Sequence, residues 1–239
     1  MSETSQPQTE KTSLPVGFSV PDWKPASLPT STPMVGKFCK LERLTAEHVP
    51  ALYEAYVEHN TPDDWIYLPY GPFTSQDSYH DWVEQHAKLK DPFFYAIKET
   101  QSNSVVGLAS YLRIDPSIGS IEVGHIHFSP TLQRTRAATE AMYLMMKHVF
   151  DCGYRRYEWK CDELNARSQR SAKRLGFQFE GIFRQATMYK GRNRDTAWFS
   201  IIDKEWPDVK KGFTAWLSDD NFNEKGEQLF SLEDCRGKR

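Results

Sequence analysis

The sequence predicts an α/β domain built around one mixed sheet. Strand-like and helix-like runs alternate from Phe38 onward in the order βααβββαβαββ, with a last helix after Pro207. One strand, Ser120 to Phe128, changes its apolar phase midway. The loop after that strand opens a helix with Arg134 and Arg136 at its mouth.

Residues 1–36 are rich in Ser, Thr and Pro and bury too little apolar surface to order themselves, so they read as a flexible tail. Within it, Phe18, Val20 and Trp23 are suited to packing on the domain. Phe38 to Leu44 reads as a strand. Thr45 then caps a helix with Leu52, Ala55 and Tyr56 on one face. An aromatic, turn-rich stretch from Asp63 to Phe73 leads to a second helix from about Ser75 to Leu89. Phe93 to Glu99 and Val105 to Ile114 form a hairpin around residues 101–104. After Ser120 to Phe128, the helix from about Ala137 to Asp151 places Ala138, Ala141, Met142, Met145 and Val149 at helical spacing, so its methionines belong to the core. Arg156 to Asp162 is a strand, and Arg167 to Leu175 is a helix closed by Gly176. Phe177 to Tyr189 and Asp195 to Asp203 are long strands joined by residues 190–194. Residues 222–239 read as a second, charged tail, which leaves 37–221 as the domain.

The chain has 239 residues, 39% hydrophobic and 26% charged, with a formal net charge of −2. That balance argues against binding nucleic acid through bulk electrostatics. Cys39, Cys152, Cys161 and Cys235 form no CxxC pair and no Cys/His ligand spacing, so a reducing compartment without structural zinc is expected. No run approaches the length of a membrane helix and no signal-peptide core is present, so a cytoplasmic protein without membrane contact is expected.

In the strand from Ser120, Ile121 and Val123 are apolar at odd positions, whereas Ile126 and Phe128 are apolar at even ones. One buried face survives that change if an extra residue is inserted, which predicts a β-bulge at Gly124 and His125. A strand buried on both faces is the other reading. A bulge exposes backbone groups that an extended ligand can bond. In the loop, residues 133–138 read Gln-Arg-Thr-Arg-Ala-Ala. Arginines at a helix N-terminus oppose the helix dipole unless an anion sits there, and a pyrophosphate suits free N–H groups and guanidinium forks together. Two solvated arginines fit the same residues.

These segments, together with Asn165-x-x-Ser168, the Leu-Gly-Phe ending at Phe177 and Glu180-Gly181, resemble the GNAT superfamily of N-acetyltransferases, in its RimJ/RimL-like branch. The resemblance covers about Gly36 to Asp203 and implies a mostly antiparallel, twisted sheet flanked by helices, with the bulge in its central strand. It implies acetyl-CoA as co-substrate, with no metal. The coenzyme would be held by Ile126, His127 and Phe128 along the strand, by Gln133, Arg134, Thr135, Arg136, Ala137, Ala138 and Thr139 at the helix mouth, and by Asn165 and Ser168. Arg134 and Arg136 stand where the family commonly has glycine. A tyrosine often found seven residues after the asparagine is replaced by Ala172.

The implied activity is acetyl transfer to a primary amine, of a protein N-terminus or a small molecule, directly within a ternary complex. The alternative is a non-enzymatic acyl-CoA-binding or regulatory module. Transfer needs a neutral amine, and at pH 7 roughly one α-amine in ten is neutral but under about one lysine in a thousand. Glu122 is the favoured base, with His125 second and His127 also on the cleft side; a cross-sheet salt bridge for Glu122 and ordinary strand packing for the histidines remain open. Ser168 is either a donor to the leaving thiolate or a helix-capping residue. Trp65, Tyr67, Tyr70 and Trp198, with Phe73, Arg192 and Arg194 nearby, suit the acceptor; hydrophobic anchoring of a long loop and a solvated basic turn are the competing readings. Arg167, Arg170 and Arg174 either reach a coenzyme phosphate or face solvent. The assembly is expected to be a monomer or a homodimer.

Overall fold

One sheet of eight strands organises the chain in a computed structural model that describes residues 14–57 and 61–237. The strands are β1 (Met34–Val35), β2 (Cys39–Arg43), β3 (Phe93–Glu99), β4 (Val105–Asp115), β5 (Ser120–Phe128), β6 (Arg156–Asp162), β7 (Gln178–Tyr189) and β8 (Arg192–Ile202). The helices are α1 (Val49–Val57), α2 (Gln76–Ala87), α3 (Arg136–Asp151), α4 (Ala166–Leu175), α5 (Trp206–Leu217) and α6 (Leu232–Gly237). The spatial order is β1-β2-β3-β4-β5-β6-β8-β7, antiparallel throughout except for β5 beside β6. Parallel neighbours need a crossover, and α3 provides it.

One face of the sheet packs on α3, α5 and α6 through a core that includes Ile121, Val123, Met145, Tyr157, Phe199 and Phe213. On the other face, α1 and α2 bury Leu52, Tyr79 and Val83 against Phe94 and Leu108 of β3 and β4. The remaining half of that face, over β5, β6 and β8, carries the buried polar groups Glu122, Glu158, Asp162, Thr196 and Ser200. This polar half becomes the floor of a groove.

The bulge lies where the phase change puts it. Leu108 faces His127 and Ser110 faces Gly124, so two steps on β4 are matched by three on β5. His125 takes up the extra residue with φ of 50°, a left-handed conformation that histidine tolerates better than bulky residues do. Ile126 and Phe128 accordingly pack with Ile121 and Val123, while His125 and His127 turn to the opposite face. On its other edge β5 pairs with β6 only from Ser120 to Val123, so the two strands part at the bulge.

Two boundaries differ from the sequence reading. The connection expected over residues 190–194 contracts to Lys190 and Gly191, with φ of 50° and 70°, and β8 starts at Arg192. Paired positive φ values match a two-residue turn to the strand twist. The charged segment after residue 221 is folded on the domain rather than free through residue 237. Leu232 and Cys235 are buried beside α5, and Asn221 donates to the carbonyls of Trp216 and Phe230. At the other end, residues 1–13 of the expected tail lie outside the described residues. Residues 14–36 run along the domain: the Trp23 indole donates to the Ser117 carbonyl at 3.0 Å, and Met34 and Val35 pair with β2.

Glu140 ties that N-terminal edge to α3. Its buried carboxylate accepts from the backbone N–H groups of Lys37 (2.8 Å), Phe38 (2.6 Å) and Cys39 (2.8 Å). A buried charge needs such compensation. Gly36 leaves room for it, because a Cβ there would sit 2.4 Å from the carboxylate.

Candidate active site

A groove of about 1830 Å³ opens where β5 and β6 part. One end is the loop into α3, where the sequence reading expects the coenzyme phosphates. Thr135 caps the helix, accepting from the Ala138 N–H at 3.1 Å and donating to the Leu132 carbonyl at 2.7 Å. The first-turn N–H groups of Arg136 and Ala137 precede the intrahelical ladder, a geometry suited to an anion. Arg134 lines the groove with φ of 63°: it keeps the glycine-like conformation, at a cost of roughly 1–2 kcal/mol for an L-residue. Gln133 donates from Nε2 to the Phe128 carbonyl at 2.9 Å and closes the loop onto the strand.

Arg136 does not share that position. Its guanidinium is turned away, sandwiched between the rings of Phe38 (4.1 Å) and Phe222 (3.9 Å), and it donates to the Leu217 carbonyl and to Asp219. The expectation of a phosphate-binding Arg136 side chain is corrected: the residue fastens the C-terminal segment. Thr135 and Ala137 also stand outside the groove lining, whereas Ala138 and Thr139 belong to it. Arg174 reaches the same end, donating to Thr139 Oγ1 at 3.2 Å, and Trp216 and Gln228 complete the wall. Arg167 and Arg170 are exposed at its rim.

Along the bulged strand, Ile126, His127 and Phe128 all line the groove. The His127 carbonyl accepts from the Tyr56 hydroxyl at 2.9 Å, with the Tyr56 ring stacked 3.9 Å from the imidazole. Burial lowers the pKa of His127 to about 4, against a nearby Asp64, so the ring is neutral at pH 7. His125 is held likewise at about 4, first by burial and then by His86, Arg113 and Arg194; its ring lies on Tyr70.

Glu122 sits at the point where the strands part, with its residue 3% exposed. Its carboxylate meets Lys160 Nζ at 2.9 Å and Arg113 Nη1 at 2.6 Å. Burial raises its pKa, while Lys160 and then Arg113 oppose the rise. Arg113 is aimed there by a second bulge, on β4, where it adopts φ of 48°. Lys160 also pairs with Glu158 at 2.7 Å, and Glu158 with Arg156, so charges alternate across the sheet floor. The cross-sheet salt bridge is therefore real, and it sits inside the groove. Ser168 accepts from the Trp159 indole at 2.9 Å, while its N–H donates to the Asn165 side chain at 3.0 Å. Asn165 thus caps α4, and both residues line the groove. Ala172 is fully buried and offers the groove nothing.

At the acceptor end, Tyr67 and Trp198 line the groove, but Trp65 and Tyr70 do not. That part of the expectation is corrected. Trp65 is an anchor, edge-on to His127 at 4.2 Å and to Phe73 at 5.4 Å, with Gly71 against its ring. Tyr70 packs on Trp82 at 4.3 Å. Two bonds roof this end: the Tyr67 hydroxyl donates to the Leu164 carbonyl at 3.2 Å, and Lys190 Nζ donates to the Trp65 carbonyl at 2.7 Å. Sequence reasoning missed Arg113, Lys160, Trp216 and Gln228. Only Trp216, an aromatic in α5, carried a visible signal. Among the described residues no cluster of three or more His, Cys, Asp or Glu is placed to hold a metal ion, and no helix is long and apolar enough to cross a membrane.

A strand that leaves its neighbour beside an open helix mouth fits an elongated, phosphate-bearing acyl donor, so the class is a coenzyme-dependent acyltransferase. The acetyltransferase (GNAT) domain model matches residues 39–178, and the chain belongs to that family. It is an acetyl-CoA-dependent acetyltransferase. A GCN5-related N-acetyltransferase from Brucella melitensis has a similar structure, with a TM-score of 0.90 and 41% identity, covering 92% of this chain and 100% of that one. A probable acetyltransferase of the GNAT family from Chromobacterium violaceum has a TM-score of 0.76 at 39% identity, over 81% of this chain and 98% of that one. The ribosomal-protein-serine acetyltransferase of Escherichia coli (strain K12) is 24% identical over 182 residues, 74% of this chain and 99% of the relative.

Proposed function

We propose that the chain transfers the acetyl group of acetyl-CoA directly to a primary amine, of a small molecule or a protein N-terminus, within a ternary complex. The observation that carries this reading is Glu122, buried where β5 and β6 part and facing the groove between its two ends. The amine nitrogen attacks the thioester carbonyl, the C–S bond breaks, and the departing sulfur receives a proton. Glu122 takes the proton that the amine loses, directly or through water, and its raised pKa makes it a better base than a free carboxylate. His125 is the second candidate base, weakened by its pKa of about 4. Ser168, held by Trp159, stands in the role of donor to the departing thiolate. Gln133, Arg134, Ala138 and Thr139 hold the pyrophosphate end with the helix N–H groups.

An α-amine is the favoured nucleophile, since at pH 7 it is neutral roughly a hundred-fold more often than a lysine. The ribosomal-protein-serine acetyltransferase among the relatives supports a protein as one form of acceptor. Acetyl transfer across a panel of amino acids, peptides, polyamines and lysine peptides, read by mass spectrometry, tests the reading. Transfer to α-amines that drops in both Glu122→Gln and Ser168→Ala is expected. Coenzyme binding without transfer to any amine would overturn it in favour of a binding module.

A further inference from the structure

Three buried nitrogen atoms at the acceptor end have no hydrogen-bond partner: His125 Nδ1, Arg194 Nε and Trp198 Nε1. All three residues line the groove. An unmet buried donor is destabilising, so such a group in one place points to something that satisfies it. The indole and the guanidinium only donate, and the imidazole Nδ1 donates in one of its neutral tautomers. Their common requirement is therefore an oxygen acceptor.

Charge sharpens that requirement. Lys160 and Arg113 are already matched by Glu122, and Lys190 Nζ is engaged by the Trp65 carbonyl in the roof. Arg194 forms no ion pair among the described residues; its guanidinium lies 5.7 Å from the Tyr189 ring. Arg194 is half-buried in the groove wall rather than out in solvent. On β8, Arg194 and Trp198 share one sheet face with Thr196 between them.

We propose that the acceptor amine also bears a carboxylate, and that Arg194 binds it, with His125 Nδ1 and the Trp198 indole as further donors. This rests on the transfer reading for the same groove. The carboxylate belongs either to a free amino acid or to an acidic residue near a peptide N-terminus, because both present the same chemistry.

Reaction products serve as probes that need no turnover. Calorimetry on the CoA-loaded protein compares N-acetylserine with its amide, and an N-acetylated dipeptide amide ending in aspartate with its asparagine counterpart. The carboxylate member of at least one pair is expected to bind about 10-fold tighter or more, as for a charge-assisted hydrogen bond. Arg194→Met is expected to abolish the difference and leave CoA affinity unchanged, with Arg194→Lys between the two. The pair that shows the preference identifies the source of the carboxylate. Equal binding within both pairs, no binding of any probe, or a preference that survives Arg194→Met overturns the proposal. A preserved carboxylate preference with no acetyl transfer to the matching amines overturns the transfer reading instead and leaves the subsite standing.

Discussion

At the end proposed for the coenzyme the groove is made of backbone: a strand parted from its neighbour, first-turn N–H groups, and Arg134 in a glycine conformation. At its acceptor end it is made of side chains: stacked aromatics, neutral buried histidines and donors without partners. Backbone geometry suits a donor with a fixed shape. Side chains are what a family exchanges to change the acceptor. The difference predicts that damage at one end leaves the other working.

The largest expected effect concerns the scaffold under the coenzyme end. Glu140→Ala removes the acceptor of three backbone N–H groups, and a loss of about 3 kcal/mol or more in unfolding free energy is expected by denaturant titration. A loss under about 1 kcal/mol would mean that water replaces the carboxylate. At the acceptor end the comparable reserve is titratable. The folded pKa of His125 and of His127, about 4, lies below the ordinary 6.5, so the unfolded chain binds more protons between those values. Their contribution is fully present above pH 6.5 and is lost as pH falls toward 4, on the order of 3 kcal/mol for each histidine. Thermal unfolding across that range checks this, and His127→Phe is expected to flatten the profile.

Between the two ends, Glu122→Gln is expected to lower kcat/KM about 100-fold while coenzyme affinity holds, which steady-state kinetics and calorimetry separate. The smallest effect is expected from Tyr67→Phe, which opens one bond of the roof. The KM of the acceptor should rise roughly 3-fold with kcat nearly unchanged. An equal change in coenzyme binding would break the division between the two ends.

The same division explains what the sequence made legible. The phase change from Val123 to Ile126 exposes the bulge, because strand periodicity is a backbone property. Glu122 and Ser168 were legible through the resemblance of their segments to the acetyltransferase family. Lys160 was not, since its link to Glu122 runs across a parallel strand pair that no local pattern records. Arg134 and Arg136 look alike in sequence, and they diverge because Asp219, at the end of the domain as read from sequence, and Phe222, the first residue of the segment that reads as a tail, reach Arg136. Trp65 and Tyr67 are separated in the same way, by which of them meets the His127 ring.

Those two arginines offer the most direct test that the bulged strand and the α3 mouth form the coenzyme site. Acetyl-CoA affinity is measured by calorimetry for the wild-type protein, Arg134→Ala and Arg136→Ala, under conditions where all three are folded. The groove geometry predicts binding by the wild type, a loss of about 10-fold for Arg134→Ala, and near-unchanged affinity for Arg136→Ala, whose cost falls on stability. Unchanged affinity in Arg134→Ala, or a larger loss in Arg136→Ala, would contradict it.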